Sequence, residues 1–191
     1  MVQKLGLIAV IGLTASAACM GAAAAIGGRD FQGGFDGWFD GRERCQALPD
    51  ATAGSRDINW DGDHVTLAVL GQASYTPGSG DKLHVSGDPQ VLAHLQVHDG
   101  KIEMNCRGWR DRTRDLTITL PGREFRKFQT AGGGNLILDK LNQSSLKIEV
   151  AGAGNIKANG RIDNLDTKIA GSGDADLDQL TVREGEMKIA G

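Results

Sequence analysis

A glycine corner that returns about every twenty residues constrains this chain more than any other feature. "AGGGN" occupies 131–135, "AGAGN" 151–155 and "AGSGD" 170–174, and "AG" recurs at 190–191. Apolar residues keep phase with the corners. Leu136 and Leu138, then Ile156 and Ala158, then Ala175 and Leu177 follow them. Ile148 and Val150, then Thr167 and Ile169, then Met187 and Ile189 precede the next corner. Such alternation turns one side of a strand inward. One unit cannot bury its own apolar side, but stacked units can. The period therefore predicts an all-β solenoid of short strands and glycine-rich corners in the C-terminal third. The corner residues are Gly132, Gly134 and Asn135, then Gly152, Gly154 and Asn155, then Gly171, Gly173 and Asp174. Glycine suits a corner that needs positive φ or leaves no room for a Cβ. Asn135, Asn155 and Asp174 are expected to adopt αL there, which Asn and Asp tolerate best.

Upstream, period-two alternation begins at Ile58. Val65, Leu67 and Val69 share a face, as do Leu83 and Val85, and Leu116, Ile118 and Leu120. Leu95 and Val97 lead into Asp99-Gly100, then Ile102, Met104 and Cys106 follow, which is a hairpin pattern. A short helical turn fits "DPQVLAHL". Residues 26–57 keep no period. Phe31, Phe35, Trp38 and Phe39 have helix-like spacing, but glycines interrupt them. This stretch reads as a linker or an N-terminal lid whose aromatics cover one end of the core.

The first 25 residues read as a cleaved export signal: Lys4, then the apolar run "LGLIAVIGLTASAAC", then small residues. Two alternatives remain. Cys19 follows small residues as a lipidated cysteine does, although Ser16 stands where leucine is usual. The uncharged stretch is also long enough for an uncleaved anchor. In an oxidising compartment Cys45 and Cys106 are a candidate disulfide, with two independent thiols the alternative. The folded domain is expected over 58–191.

The glycine corners, each followed by strand, gap and strand, resemble the putative auto-transporter adhesin head GIN domain family. "LTITLPGREFRKFQTAGGGNL" has that family's strand, proline and link into the first corner. "KLHVSGDPQVLAHLQVHDGKIEMNC" is similar to its N-terminal strands. The resemblance covers roughly 58–191. It implies a right-handed β-helix-like fold on exported bacterial proteins. A solenoid normally finishes in a cap, whereas this sequence stops as a fourth corner begins: the expectation is a chain truncated at its C-terminus, and the alternative is a last coil that offers an open edge. Such an edge could pair a second molecule.

Catalytic motifs are sparse. Gly152 and Gly154 lack the following helix of a nucleotide loop. Asp174, Asp176 and Asp178 resemble a calcium-binding repeat, but the matching positions Asn135, Ile137 and Asp139, then Asn155, Lys157 and Asn159, carry no carboxylate ladder. His64, His84, His94 and His98 have no ligand spacing, and no nucleophile elbow accompanies any serine. No metal or cofactor is expected. The net charge of −3 disfavours nucleic acid. "CRGWRDRTRD" is the densest charged stretch. Arg107, Arg110, Arg112 and Arg114 flank Trp109, a combination that forks onto carboxylates and stacks on sugar rings. Trp60 and Tyr75 are candidate additions, and a solvated loop is the plain alternative.

The expected protein is a non-catalytic, periplasmic or extracellular envelope module that presents a rigid surface to a polysaccharide or protein. The alternatives are a carbohydrate-active enzyme on a β-helix scaffold and a purely structural envelope protein.

Overall fold

Strands from successive coils of a β-solenoid pair in register on either side of glycine-rich corners. The computed structural model describes residues 54–191, except the Arg107 side chain. Through Ile189 these residues belong to one compact unit, Glu43–Ile189. The signal segment, Cys19, Cys45 and residues 26–53 lie outside the described residues.

The strands are β1 Ser55–Asn59, β2 His64–Leu67, β3 Gln72–Tyr75, β4 Lys82–Ser86, β5 Leu95–His98 and β6 Lys101–Met104. Then come β7 Thr117–Thr119, β8 Lys127–Gly132, β9 Asn135–Gly152, β10 Asn155–Gly171 and β11 Asp174–Ala190. The single α-helix among the described residues, α1, is Pro89–Leu92, and a 3₁₀ segment spans Arg107–Asp115. β1 starts before Ile58, so regular structure reaches into the stretch that reads as linker. The expected hairpin joins β5 to β6, with Asp99 and Gly100 both at positive φ (46° and 69°). Asp88 caps α1 by accepting from the Gln90 amide at 2.8 Å.

The solenoid rests on parallel pairing in register. β2 lies on β8 with Val65 opposite Phe128, and β8 lies on β9 with Phe128 opposite Ile148. β9 lies on β10 with Leu136 opposite Ile156 and Ile148 opposite Thr167. β3 covers the start of β9, Ala73 opposite Leu136. The 68–71 link between β2 and β3 is therefore a first corner above the three glycine corners, and Asn135 donates its amide to the Gly71 carbonyl at 3.1 Å. Sequence periodicity misses this turn because "AVLG" retains only one of the glycines. β7 extends the sheet beyond β3 in parallel, and β4 and β1 close that side antiparallel.

The apolar phase expected from sequence points inward through β9 and β10. Leu136, Leu138, Ile148, Val150, Ile156 and Ala158 are all buried. β11 pairs with β10 only. Ala175 and Leu177 are half-buried against the core, whereas Met187 and Ile189, in the same phase, are 54% and 66% exposed. An aromatic cluster lies within the core: Phe125 packs edge-on to Trp60 and Tyr75, at 5.7 and 5.5 Å between centroids, and Phe128 joins them.

The corners correct one expectation. Positive φ falls on Gly132, Gly152 and Gly171, not on Asn135, Asn155 or Asp174. Those residues instead form a ladder. Asn155 Nδ2 donates to Asn135 Oδ1 at 3.0 Å, and the Asp174 amide donates to Asn155 Oδ1 at 3.3 Å. Side-chain bonding between coils replaces the αL role. Gly173 serves close approach: a Cβ there would sit far inside contact distance of the Gly154 carbonyl.

The repeat shortens from twenty to nineteen residues for a visible reason. Between Leu138/Leu141 on β9 and Ala158/Gly160 on β10 the register shifts, so Asp139 and Lys140 oppose Asn159 alone. This is a bulge, with Lys140 at φ 55°. Asn159 fills it, donating to Asp139 Oδ1 at 2.6 Å and accepting from the Lys140 amide at 2.7 Å.

Candidate functional site

The arginine-rich stretch is ordered by a threonine. Thr113 is fully buried. Its Oγ1 donates to the Arg110 carbonyl at 2.6 Å and accepts from the Leu70 amide at 2.9 Å. One hydroxyl thus holds the 3₁₀ turn and fastens it to the first corner. Trp109 is half-buried and packs on the core. Its ring stacks on His94 at 4.5 Å between centroids, tilted 32°, and the Arg112 guanidinium carbon lies 4.7 Å from its centroid. His94 is itself held by Asn105, 3.2 Å from Nδ1 to Oδ1.

That geometry alters the role open to Trp109. An indole stacked on His94 and overlain by Arg112 is a pedestal, not a vacant stacking platform. A cation–π contact of this kind is worth ~0.5–1 kcal/mol where water reaches it. It orients the guanidinium, while Arg112 and Arg114 remain exposed, Arg110 is half-buried, and Asp111 and Asp115 lie at the surface. Trp60 and Tyr75 do not join this patch. Both are core residues, and the Tyr75 hydroxyl donates to the Arg123 carbonyl at 2.9 Å.

A second feature is a set of charged ladders across stacked strands. Glu149 lies between Lys127 and Lys147, at 2.6 and 2.7 Å, with only 12% of its side chain exposed. Burial alone would raise its carboxyl, but hydrogen bonds and charge from both lysines outweigh burial and hold it below the ordinary range. Glu103, between Lys101 and His98, is held low in the same way against its burial. Beside the Glu149 ladder runs an open groove of about 500 Å³. Arg126, Lys147, Asp166, Glu184 and Glu186 line it together with Leu146 and Leu165. No spacing motif in the sequence unites these residues, because they come from successive coils.

The remaining sequence candidates separate. Asp176 is taken up by Lys157 at 2.7 Å, which lowers its carboxyl, so the three aspartates of 174–178 do not converge. His64, His84 and His98 each lie beside a carboxylate, and among the described residues no group of three metal-ligating side chains is gathered. Cys106 is buried and disulfide-bonded; the pairing expected with Cys45 falls outside the described residues. Among the described residues no helix is long and apolar enough to cross a membrane.

The sequence matches the family model described as putative auto-transporter adhesin, head GIN domain, over residues 63–191. Similar solved structures include a putative lipid binding protein from Parabacteroides distasonis ATCC 8503. It is 20% identical, with 71% of this chain and 77% of that one covered and a TM-score of 0.48. A putative adhesin from Parabacteroides merdae ATCC 43184 has 12% identity, 71% and 76% coverage and a TM-score of 0.45. Another, from Bacteroides fragilis NCTC 9343, has 16% identity, 71% and 95% coverage and a TM-score of 0.39. No curated protein matches the chain.

Proposed function

The chain belongs to the putative auto-transporter adhesin, head GIN domain family, and from that premise we propose that it is an exported, non-catalytic envelope module. It presents a rigid solenoid surface to an anionic polysaccharide or an acidic protein segment. The observation that carries this reading is the pinned 3₁₀ segment. Thr113 fixes its backbone, Trp109 supports Arg112, and Arg114 lies exposed two residues on. Guanidinium groups held in place lose less entropy when they fork onto carboxylates. The periplasm or cell surface is the proposed location, in keeping with the export-type N-terminus and the disulfide at Cys106.

A carbohydrate-active enzyme has weaker support. The groove does hold three carboxylates, but a glycosidic general acid needs a raised pKa. Glu186 is displaced the other way, held low by a hydrogen bond from Lys188.

The test is binding of the purified chain to polygalacturonate and to uncharged dextran at about 50 and about 300 mM salt. Polygalacturonate should bind and dextran should not, and high salt should weaken the interaction. Arg112→Ala with Arg114→Ala should weaken it by about tenfold or more. Equal binding by the double variant, or none by the parent chain, would overturn the arginine site.

A further inference from the structure

We propose that His94 is a further cation of the arginine site, one switched on by a proton, so that the site holds a polyanion more tightly as the surroundings turn mildly acidic. This builds on the arginine site proposed above and adds its response to pH. The four histidines of the chain are not equivalent. His64, His84 and His98 lie beside Asp63, Asp57 and Glu103, so a proton taken up there meets a carboxylate already in place. His94 lies beside an amide and an indole. The elements packed around it supply mostly positive charge. From β1, Arg56 Nη1 donates to the Leu92 carbonyl at 2.9 Å and to that of Leu95 at 3.4 Å, on either side of His94. The 3₁₀ segment brings Arg110, Asp111 and Arg112. The helix α1 carries no charge of its own, with Asp88 exposed at its N-terminal cap, and Glu103 on β6 is taken up by Lys101 and His98.

The surroundings make this imidazole a switch. An amide oxygen only accepts, so Asn105 Oδ1, 3.2 Å from Nδ1, keeps a hydrogen on Nδ1. Nε2 bonds no described residue and is not sealed from water. In the neutral ring Nε2 therefore bears a lone pair, which repels an anion. Protonation turns it into a donor and gives the ring a full positive charge. Trp109 accommodates that charge, because a cation within about 6 Å of an indole centroid is attracted to its face, and the His94 ring lies 4.5 Å away, tilted 32°. The Arg112 guanidinium carbon is 4.7 Å from the same indole. The two cations thus lie within about 9 Å of each other, less than the Debye length of about 10 Å at 0.1 M salt, and act on one ligand. A bound polyanion relieves the repulsion between them, so ligand and proton promote each other's binding.

Sulfated dextran is the probe, since its sulfate esters keep their charge across the range where histidine side chains titrate, about pH 5 to 8. Its binding to the full chain is measured by calorimetry at about pH 5.5 and about pH 7.5 in about 0.1 M salt. The Trp109 indole N–H resonance is followed with pH in the free chain. The parent should bind about threefold tighter at the lower pH, and the Trp109 resonance should titrate. His94→Phe, which keeps a ring against Trp109, should still bind but lose the titration and most of the pH response. His94→Arg, with a permanent charge, should bind at the higher pH as the parent does at the lower. His98→Gln should keep the parent's response. Equal parent affinity at the two pH values, or a response undiminished in His94→Phe, would overturn the role of His94 and leave the arginine site standing. No binding at either pH would overturn both.

Discussion

Replacing Gly160 by alanine tests the bulge that sets the coil length. Gly160 sits at φ 121°, and a Cβ there would lie far inside contact distance of the Leu141 carbonyl and amide. Both obstacles are backbone, so no side chain can swing aside. Positive φ costs a non-glycine residue ~1–2 kcal/mol, and forcing atoms into a packed site costs ~1–3 kcal/mol. Alanine returns ~0.4–1 kcal/mol by restricting the unfolded chain, which leaves a net loss of about 3 kcal/mol. At ~2–4 °C per kcal/mol for a domain of this size, Tm should fall on the order of 10 °C. The measurement is thermal and urea unfolding by circular dichroism. Gly185→Ala is the control, since its nearest contact would be Val182 at 3.5 Å and its φ is not positive; it should stay within about 0.5 kcal/mol of the parent. Equal stability of the two variants would refute the steric account of the bulge.

Two other perturbations address the core and the ladder. The buried Thr167 Oγ1 has no partner, so Thr167→Val should stabilise the chain by ~1 kcal/mol in urea unfolding, and a loss would mean the hydroxyl is bonded. Because Glu149 is held below its ordinary value, the stability it contributes is complete above the unfolded glutamate pKa of about 4.3 and is lost as pH falls through the lower folded value. Glu149→Gln should cost ~1–2 kcal/mol at pH 7 and show a shallower loss through that acid window, read from urea midpoints against pH.

Much of the fold is legible in the sequence because side-chain phase is a local property. The inward positions from Leu136 to Ala158 follow from period two, and Asp99-Gly100 marks its own hairpin. Local pattern fails where a neighbouring coil decides. Asn135 and Asn155 read as αL residues, but a hydrogen bond between coils takes their amides instead. Gly160 looks unremarkable in "KANGR", yet the opposing Leu141 backbone excludes every other residue. Met187 and Ile189 carry the core phase but are exposed, since burial needs a second surface that phase cannot supply.

The candidate sites divide in the same way. The arginine patch is contiguous in the chain, so composition alone locates it. The Arg112–Trp109–His94 stack requires α1 and the 3₁₀ segment to meet, which changes the tryptophan from a free platform into a support. The groove draws on residues about twenty positions apart that become neighbours only through parallel stacking. The sequence by itself determined the period, the inward phase and the all-β class, because these depend on spacing along one strand. Tertiary structure alone decided which charges face one another, because strand register brings Lys147 and Asp166 within one strand spacing although nothing local links them.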